Sequence, residues 1–174
     1  MVDVIEGRVL FTQGEIEARV RALAREISSD YKGLNPVIVT VLRGAVYFLV
    51  DLTRNLSIPH RLDFLSISAY GPSTQTGAVR IIKDLEMDIH NEHVLVVEDI
   101  VDTGLTLHYL IRSLRERGPA SLKVCTFLDR AAQRIADLHI DYSGFEIGDE
   151  FVVGYGLDNN ESFRNLSHVI ALEE

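Results

Sequence analysis

The sequence predicts an α/β fold: a central, mostly parallel sheet flanked by helices, with a small hood formed by the two chain ends. Three observations carry this expectation. The run Pro36–Leu42 (PVIVTVL) is continuous and β-branched, the mark of a strand buried on both faces, as strands of parallel sheets are. It passes through Arg43-Gly44 directly into an apolar helical stretch. A second apolar run, Val94–Val97, likewise passes through a turn into a helix, which gives the repeating order of an α/β chain.

The elements follow in order. Thr12-Gln13-Gly14-Glu15 has capping-box spacing, so Glu15 can reach back to an orphan backbone N–H at a helix start. Ile16, Val20, Leu23 and Ile27 then recur at three- and four-residue intervals and define one buried face, with Lys32-Gly33 closing the helix. After the Pro36–Leu42 strand, Ala45–Leu52 is helical, and its Phe48, Leu49 and Leu52 suit either the core or an interface between copies of the chain. Arg61–Ala69 is a strand with partial alternation at Leu62, Phe64 and Ile67. Tyr70–Gly77 (YGPSTQTG) has no apolar periodicity and reads as a loop, and Val79–Ile82 resumes a strand. The Val94–Val97 strand is expected to end in Glu98-Asp99. A turn follows through Asp102-Thr103-Gly104-Leu105-Thr106, then a helix with Leu107, Leu110, Ile111 and Leu114 on one face. Leu122–Leu128 is a further strand, and Tyr142–Phe145, Glu150–Val153 and Val169–Leu172 are weaker ones. With no repeat, low-complexity tract or linker, residues 1–174 read as a single domain, with the hood drawn from about 1–10 and 130–174.

Composition narrows the function. Seventeen Lys and Arg against 26 Asp and Glu leave a formal charge of -9, and the basic residues are scattered. Such a chain repels a nucleic-acid backbone, so no nucleic-acid partner is expected. The single cysteine, Cys125, has no partner for an internal disulfide or a zinc site, which suits a reducing compartment. The opening MVDVIEGRVL lacks an export signal and nowhere do eighteen apolar residues stand together, so a cytoplasmic protein without a membrane partner is expected.

Ligands of open α/β sheets bind beyond the carboxyl ends of the strands, where Glu98 and Asp99 are expected. The turn Asp102–Thr106 offers backbone N–H groups, two hydroxyls and a helix N-terminus to a phosphate. Gly104 permits close approach and a backbone angle that other residues resist. The paired carboxylates suit Mg²⁺, a cation that prefers oxygen ligands and keeps part of its water shell. The same residues read equally as a solvated acidic loop with Asp102 as an N-cap. Neither GxxxxGK[ST] nor GxGxxG is present, which excludes a P-loop and a dinucleotide fingerprint.

The stretch VVEDIVDTGLT, Val96–Thr106, resembles the phosphoribosyl-pyrophosphate (PRPP) motif of the type I phosphoribosyltransferases. VLRGA (Val41–Ala45), SAYG (Ser68–Gly71), IIKDLE (Ile81–Glu86) and GFEIGDEFVVGYGLDNNESFRNL (Gly144–Leu166) extend the resemblance to the hypoxanthine-guanine branch of that family. It implies a type I phosphoribosyltransferase-like fold. It also implies transfer of the phosphoribosyl group from PRPP to hypoxanthine or guanine, giving IMP or GMP and pyrophosphate, with Mg²⁺ as cofactor. Asp102, Thr103, Gly104, Leu105 and Thr106 would cradle the 5′-phosphate, and Asp102 would also act as general base or acid at purine N7. Glu98 and Asp99 would address the ribose hydroxyls directly or through Mg²⁺, and Asp158 would stand beside a second Mg²⁺. Leu42-Arg43-Gly44 would form the pyrophosphate loop, where the family has a non-proline cis peptide before the basic residue, and Arg164 would meet pyrophosphate from the other side. Phe151 would stack on the purine, and the Val152 backbone would read its edge. The Tyr70–Gly77 loop would close over the reaction and exclude water. Homodimers or homotetramers are usual in the family.

Without the resemblance, Leu42–Gly44 is a tight turn, Arg164 a surface ion pair, Phe151 a core residue and Asp158 a turn former. Three departures stand out. Ala69 replaces a Ser or Lys, and Gly148 replaces a Pro just before the base-binding strand. Arg130 replaces the Lys that donates to the purine 6-oxo group, and its planar fork is longer and wider than an ammonium. A xanthine-preferring enzyme and a non-catalytic PRPP- or nucleotide-sensing regulator of the same fold are the alternatives.

Overall fold

A computed structural model describes residues 7–69 and 79–173. The loop expected at Tyr70–Gly77 lies outside the described residues. Strand β1 (Gly7–Phe11) leads into helix α1 (Gln13–Asp30). The capping box forms as the sequence predicts: Glu15 Oε2 accepts from the Thr12 amide at 2.8 Å, and the Thr12 hydroxyl accepts from the Glu15 amide at 3.4 Å. Strand β2 (Val37–Leu42), helix α2 (Val46–Asn55), strands β3 (Arg61–Ala69) and β4 (Val79–Lys83), strand β5 (His93–Val101), helix α3 (Leu105–Arg115) and strand β6 (Ser121–Asp129) follow. After one 3-10 turn at Ala131–Gln133 come β7 (Tyr142–Glu146), β8 (Val152–Val153) and β9 (Val169–Leu172).

Six strands form the main sheet in the order β4-β3-β2-β5-β6-β7. All neighbours are parallel except β3 and β4. The period of two sends successive residues of β2 and β5 to opposite faces, and each face has its own core. Ile38, Leu95 and Val97 pack with Ile16, Leu23 and Ile27 of α1 and Phe48, Leu49 and Leu52 of α2. Val37, Val39, Val94 and Val96 pack with Leu107, Leu110, Ile111 and Leu114 of α3. Continuous apolar runs in these strands are the consequence of covering on both sides. Cys125 lies in the middle of β6, fully buried, with Val97 of β5 and Tyr142 of β7 as register partners, and burial pushes its thiol far up.

The chain ends build a second sheet in the order β1-β9-β8, antiparallel throughout. Its Val152 and Val169, with Tyr155 and Leu157 of the intervening segment, join the core beneath α1 and α2. That packing fixes the segment 151–164 above the carboxyl ends of β2, β5 and β6.

Two expectations need correction. Strand β5 does not end in Glu98-Asp99 but runs on to Val101, because β6 is long enough to pair with it: Glu98 faces Thr126, Ile100 faces Leu128 and Val101 faces Asp129. Phe48, Leu49 and Leu52 are not interface candidates, since all three are in the core. The exposed apolar residues of α2 are Tyr47 and Val50. Elsewhere one buried carboxylate has a local structural role: Asp63 of β3 accepts from the amides of Phe64, Glu86 and Met87 at 2.7–2.8 Å and ties down the turn after β4.

Candidate active site

The turn after β5 is held from both ends. Gly104 takes φ +78° and starts α3, whose first-turn amides have no intrahelical partner and point out of the helix end. Behind it, the amides of Ile135 and Ala136 donate to the Thr103 carbonyl at 2.9 and 3.0 Å. Arg134 donates through Nε to the Asp102 carbonyl at 3.0 Å and through Nη2 to the Val101 carbonyl at 3.4 Å, and it also pairs with Asp129. A Cβ at residue 104 would meet the Arg134 side chain, so Gly104 is required by both its angle and its neighbour.

This turn borders a cavity lined by Val41, Ile67, Glu98, Val101, Thr103 and Thr106 among others. A second cavity lies beside it under the hood and is lined by Asp99, Arg130, Phe151, Val152, Leu157 and Asp158. Ile100 and Asp102 line both. Asp102 therefore stands at the junction of two chambers, one walled by the phosphate-type turn and one by an aromatic ring, apolar side chains and the charged groups of Asp99, Arg130 and Asp158. Its Oδ1 is buried with no hydrogen-bond partner, while Oδ2 faces Arg130 Nη1 at 3.5 Å. Arg130 also donates through Nη2 to the Glu150 carbonyl, and its Nε is buried without a partner. Phe151 is half-exposed at 52%, so it is a wall of the second chamber and not a core residue.

Glu98 and Asp99 form the floor. Burial pushes the Glu98 carboxyl well above the usual carboxylate range, and the Asp99 charge adds to the shift. Burial also raises Asp99, against the lowering effect of the Ile100 amide, bonded at 2.7 Å, and of the Arg164 guanidinium. Two adjacent carboxylates that resist ionisation while unpaired are a donor set suited to a hard cation. Among the described residues no group of three acidic, His or Cys side chains encloses a metal position. Mg²⁺ needs none, since one or two carboxylates complemented by substrate phosphates and water satisfy it.

The Leu42–Arg43 peptide is cis. Gly44 then passes so close to Asp99 that a Cβ would fall on the carboxylate, and Gly156, at φ +100°, packs its own α-carbon against the Gly44 carbonyl. The two glycines let the turn after β2 and the segment after β8 meet backbone to backbone over the acidic floor. On the outer side Arg164 pairs with Asp158 at 2.8 Å and donates to the Gly156 carbonyl at 2.8 Å. Thus Leu42–Gly44, Glu98, Asp99, Asp102–Thr106, Arg130, Phe151, Val152, Asp158 and Arg164, spread over more than 120 positions of sequence, gather at one end of the sheet.

Residues 10–160 match the phosphoribosyl transferase domain family. The chain belongs to that family. Relatives of this phosphoribosyl transferase domain include the hypoxanthine-guanine phosphoribosyltransferase of Mycobacterium tuberculosis, 46% identical over 95% of this chain and 85% of that protein. The hypoxanthine-guanine-xanthine phosphoribosyltransferase of Tritrichomonas foetus is 43% identical over 100% of this chain and 95% of its own length. A crystal structure of a hypoxanthine-guanine phosphoribosyltransferase from Bacillus anthracis superposes with a TM-score of 0.93 at 40% identity, covering 98% of this chain and all of that one.

Two residues escape the sequence reading of the transferase site. Arg134 braces the phosphate-type turn from behind, and its only signal was a second arginine four positions after Arg130. Glu161 reaches both Arg43, at 2.7 Å, and Arg164, at 3.4 Å, and nothing in the local sequence marks it. No helix among the described residues is long and apolar enough to cross a membrane.

Proposed function

We propose that this chain is a purine salvage enzyme that transfers the 5-phosphoribosyl group from PRPP to hypoxanthine or guanine. The observation that carries the reading is Asp102, with one unpartnered buried oxygen, at the junction of a phosphate-type chamber and a second chamber that sets Phe151, Val152 and Leu157 beside Asp99, Arg130 and Asp158. A group placed there meets the bond that forms between ribose and base.

In this reading the amides and hydroxyls of Thr103–Thr106 anchor the 5′-phosphate at the helix N-terminus. Glu98 and Asp99 face the ribose, and Arg43 and Arg164 face the pyrophosphate. Phe151 covers one face of the purine, with the Val152 backbone at its edge. Purine N9 attacks C1′, the bond from C1′ to the pyrophosphate oxygen breaks, and its electron pair leaves with pyrophosphate. The proton given up at N7 goes to Asp102, a step of general base type that contributes roughly 10²- to 10⁴-fold. Arg130 donates to the 6-oxo group. Adenine offers a 6-amino donor there instead, which would face the guanidinium donor to donor. Glu98, Asp99 and Asp158 would supply the oxygen donors for Mg²⁺, which would neutralise charge on the pyrophosphate. Assembly into homodimers or homotetramers belongs to the same reading, with the exposed Tyr47 and Val50 of α2 as contact candidates.

The test is pyrophosphate release from PRPP and Mg²⁺ with hypoxanthine, guanine, xanthine and adenine offered separately. Turnover with hypoxanthine or guanine, reduced at least about 100-fold in Asp102→Asn, is the expected result. Turnover with xanthine alone would overturn the base assignment, and PRPP binding without turnover on any base would make the chain a sensor.

A further inference from the structure

The outer wall of the site carries an ion-pair arrangement that the reaction as described does not use. Glu161 extends one carboxylate oxygen to each of two guanidinium groups: Oε1 lies 2.7 Å from Arg43 Nη2 and Oε2 lies 3.4 Å from Arg164 Nη2. Arg43 belongs to the turn after β2 and Arg164 to the segment before β9, so 118 positions of sequence separate the first pair. A planar carboxylate spanning two arginines from opposite walls has the geometry of one edge of a phosphate group.

Glu161 sits in a tight two-residue turn closed by the Asn159–Ser162 bridge, whose two central residues both take positive φ. Asn160, Glu161 and Phe163 have φ of 50°, 64° and 76°, three non-glycine residues in the left-handed region within four positions. Such angles are uncommon outside glycine and persist where surrounding contacts impose them. Here the Glu161 amide donates to Asp158 Oδ2 at 2.8 Å, Asn159 and Ser162 exchange backbone hydrogen bonds, and Asp158 in turn holds Arg164. Arg43 and Glu161 are 69% and 59% exposed, so that pair is in water and exchangeable, whereas Arg164 is only 21% exposed. Arg164 keeps its Nε buried without a partner, which leaves it capacity for a further acceptor.

We propose that Glu161 is an internal counter-anion for the Arg43–Arg164 pair, occupying it in the empty site and giving way to pyrophosphate. The inference rests on the assignment of those two arginines to pyrophosphate. Glu161 keeps the two guanidiniums together before substrate arrives, and it competes with the released product for them afterwards. Its carboxylate thus weakens retention of pyrophosphate without touching the ribose or the base, which speeds product departure where release limits turnover.

The experiment is calorimetric titration of the full chain with inorganic pyrophosphate at fixed ionic strength, comparing the unaltered protein with Glu161→Gln and Arg164→Gln. Glutamine keeps the size and the backbone demands of Glu161 but removes its charge, and matching thermal melts verify that each variant is folded. One exposed pair and one partly buried pair are given up when pyrophosphate binds, so Glu161→Gln is expected to bind it about three- to tenfold more tightly. Pyrophosphate should also become a correspondingly stronger product inhibitor, while the KM for the purine stays unchanged. Arg164→Gln is expected to bind more weakly. If Arg164→Gln weakens binding but Glu161→Gln leaves it equal or weaker, the counter-anion role is overturned and the pyrophosphate assignment stands. If pyrophosphate binds the unaltered protein and Arg164→Gln alike, the assignment falls and the inference with it.

Discussion

Gly44 and Asp99 approach each other so closely that hydrogen is the only substituent the α-carbon of residue 44 can carry: a methyl group there would coincide with the Asp99 carboxylate. The Gly156 carbonyl, 3.2 Å from the same point, closes the other side. Gly44→Ala is therefore expected to push either the turn or the carboxylate out of place. A displacement of about 1 Å at a reacting centre costs on the order of 100-fold in rate. The expected outcome is a loss of that size in kcat/KM for PRPP, with a folded protein by circular dichroism. Activity within a few-fold of the original would show that the floor of the site is not held by this contact.

Arg134 touches the phosphate-type turn only through its backbone, at the carbonyls of Val101 and Asp102. It is a positioning residue. Arg134→Gln is expected to raise the KM for PRPP about tenfold or more while the KM for the purine moves little. Arg134→Lys should not restore it, because one ammonium cannot serve Asp129 and both carbonyls with a fork's fixed spacing. Rescue by lysine would mean that charge alone matters.

Arg130 spans Asp102 and the Glu150 carbonyl, so it links the acid–base group to the wall of the base chamber. Arg130→Met is expected to lower kcat/KM for hypoxanthine about tenfold to 100-fold, the range for losing a hydrogen bond from a charged donor. Discrimination against adenine should shrink by a similar factor. Competition between the two bases at fixed PRPP measures both, and unchanged discrimination would remove Arg130 from recognition of the 6-position.

The acidic floor makes stability depend on pH in a defined direction. The ordinary values of Glu98 and Asp99 are 4.5 and 3.8, and both are raised in the folded protein, chiefly by burial. The folded state then binds more protons than the unfolded state above those values, so unfolding free energy falls as pH rises. The contribution is complete below the unfolded values and is lost as pH rises through the folded ones. Glu98→Gln is expected to raise the Tm of the metal-free protein at about pH 8 and to change it little at about pH 4. Mg²⁺ should raise the Tm more at the higher pH, where the carboxylates it would bind are ionised. A Tm gain for Glu98→Gln that is equal at both pH values would contradict this account.

The residues that could be read in the sequence are those whose partners lie close along the chain. The Thr12–Glu15 box, the β-branched run of β2 and the D-T-G turn at Asp102–Gly104 each specify their geometry within a few positions. What could not be read depends on distant partners. The continuation of β5 through Glu98-Asp99 is set by the length of β6. A helix as apolar as α2 does not announce which face meets the sheet, so Phe48 and Val50 look alike until α1 covers one of them. The backbone contact of Gly44 with Gly156 and the reach of Glu161 to Arg43 join segments more than 100 residues apart. Phe151 shows the opposite difficulty, because a phenylalanine before a valine-rich strand reads as core unless the cavity beneath it is known.

Cys125 gives the molecule a built-in reporter. It is the sole thiol of the chain and is inaccessible at the centre of β6, hydrogen-bonded on both flanks through its strand to β5 and β7. A thiol reagent reaches it only when those strands separate, and no surface cysteine contributes a background signal. Its alkylation rate therefore measures how often the main sheet opens. Comparing that rate with and without PRPP separates ligands that merely fill the cleft from those that clamp the scaffold beneath it.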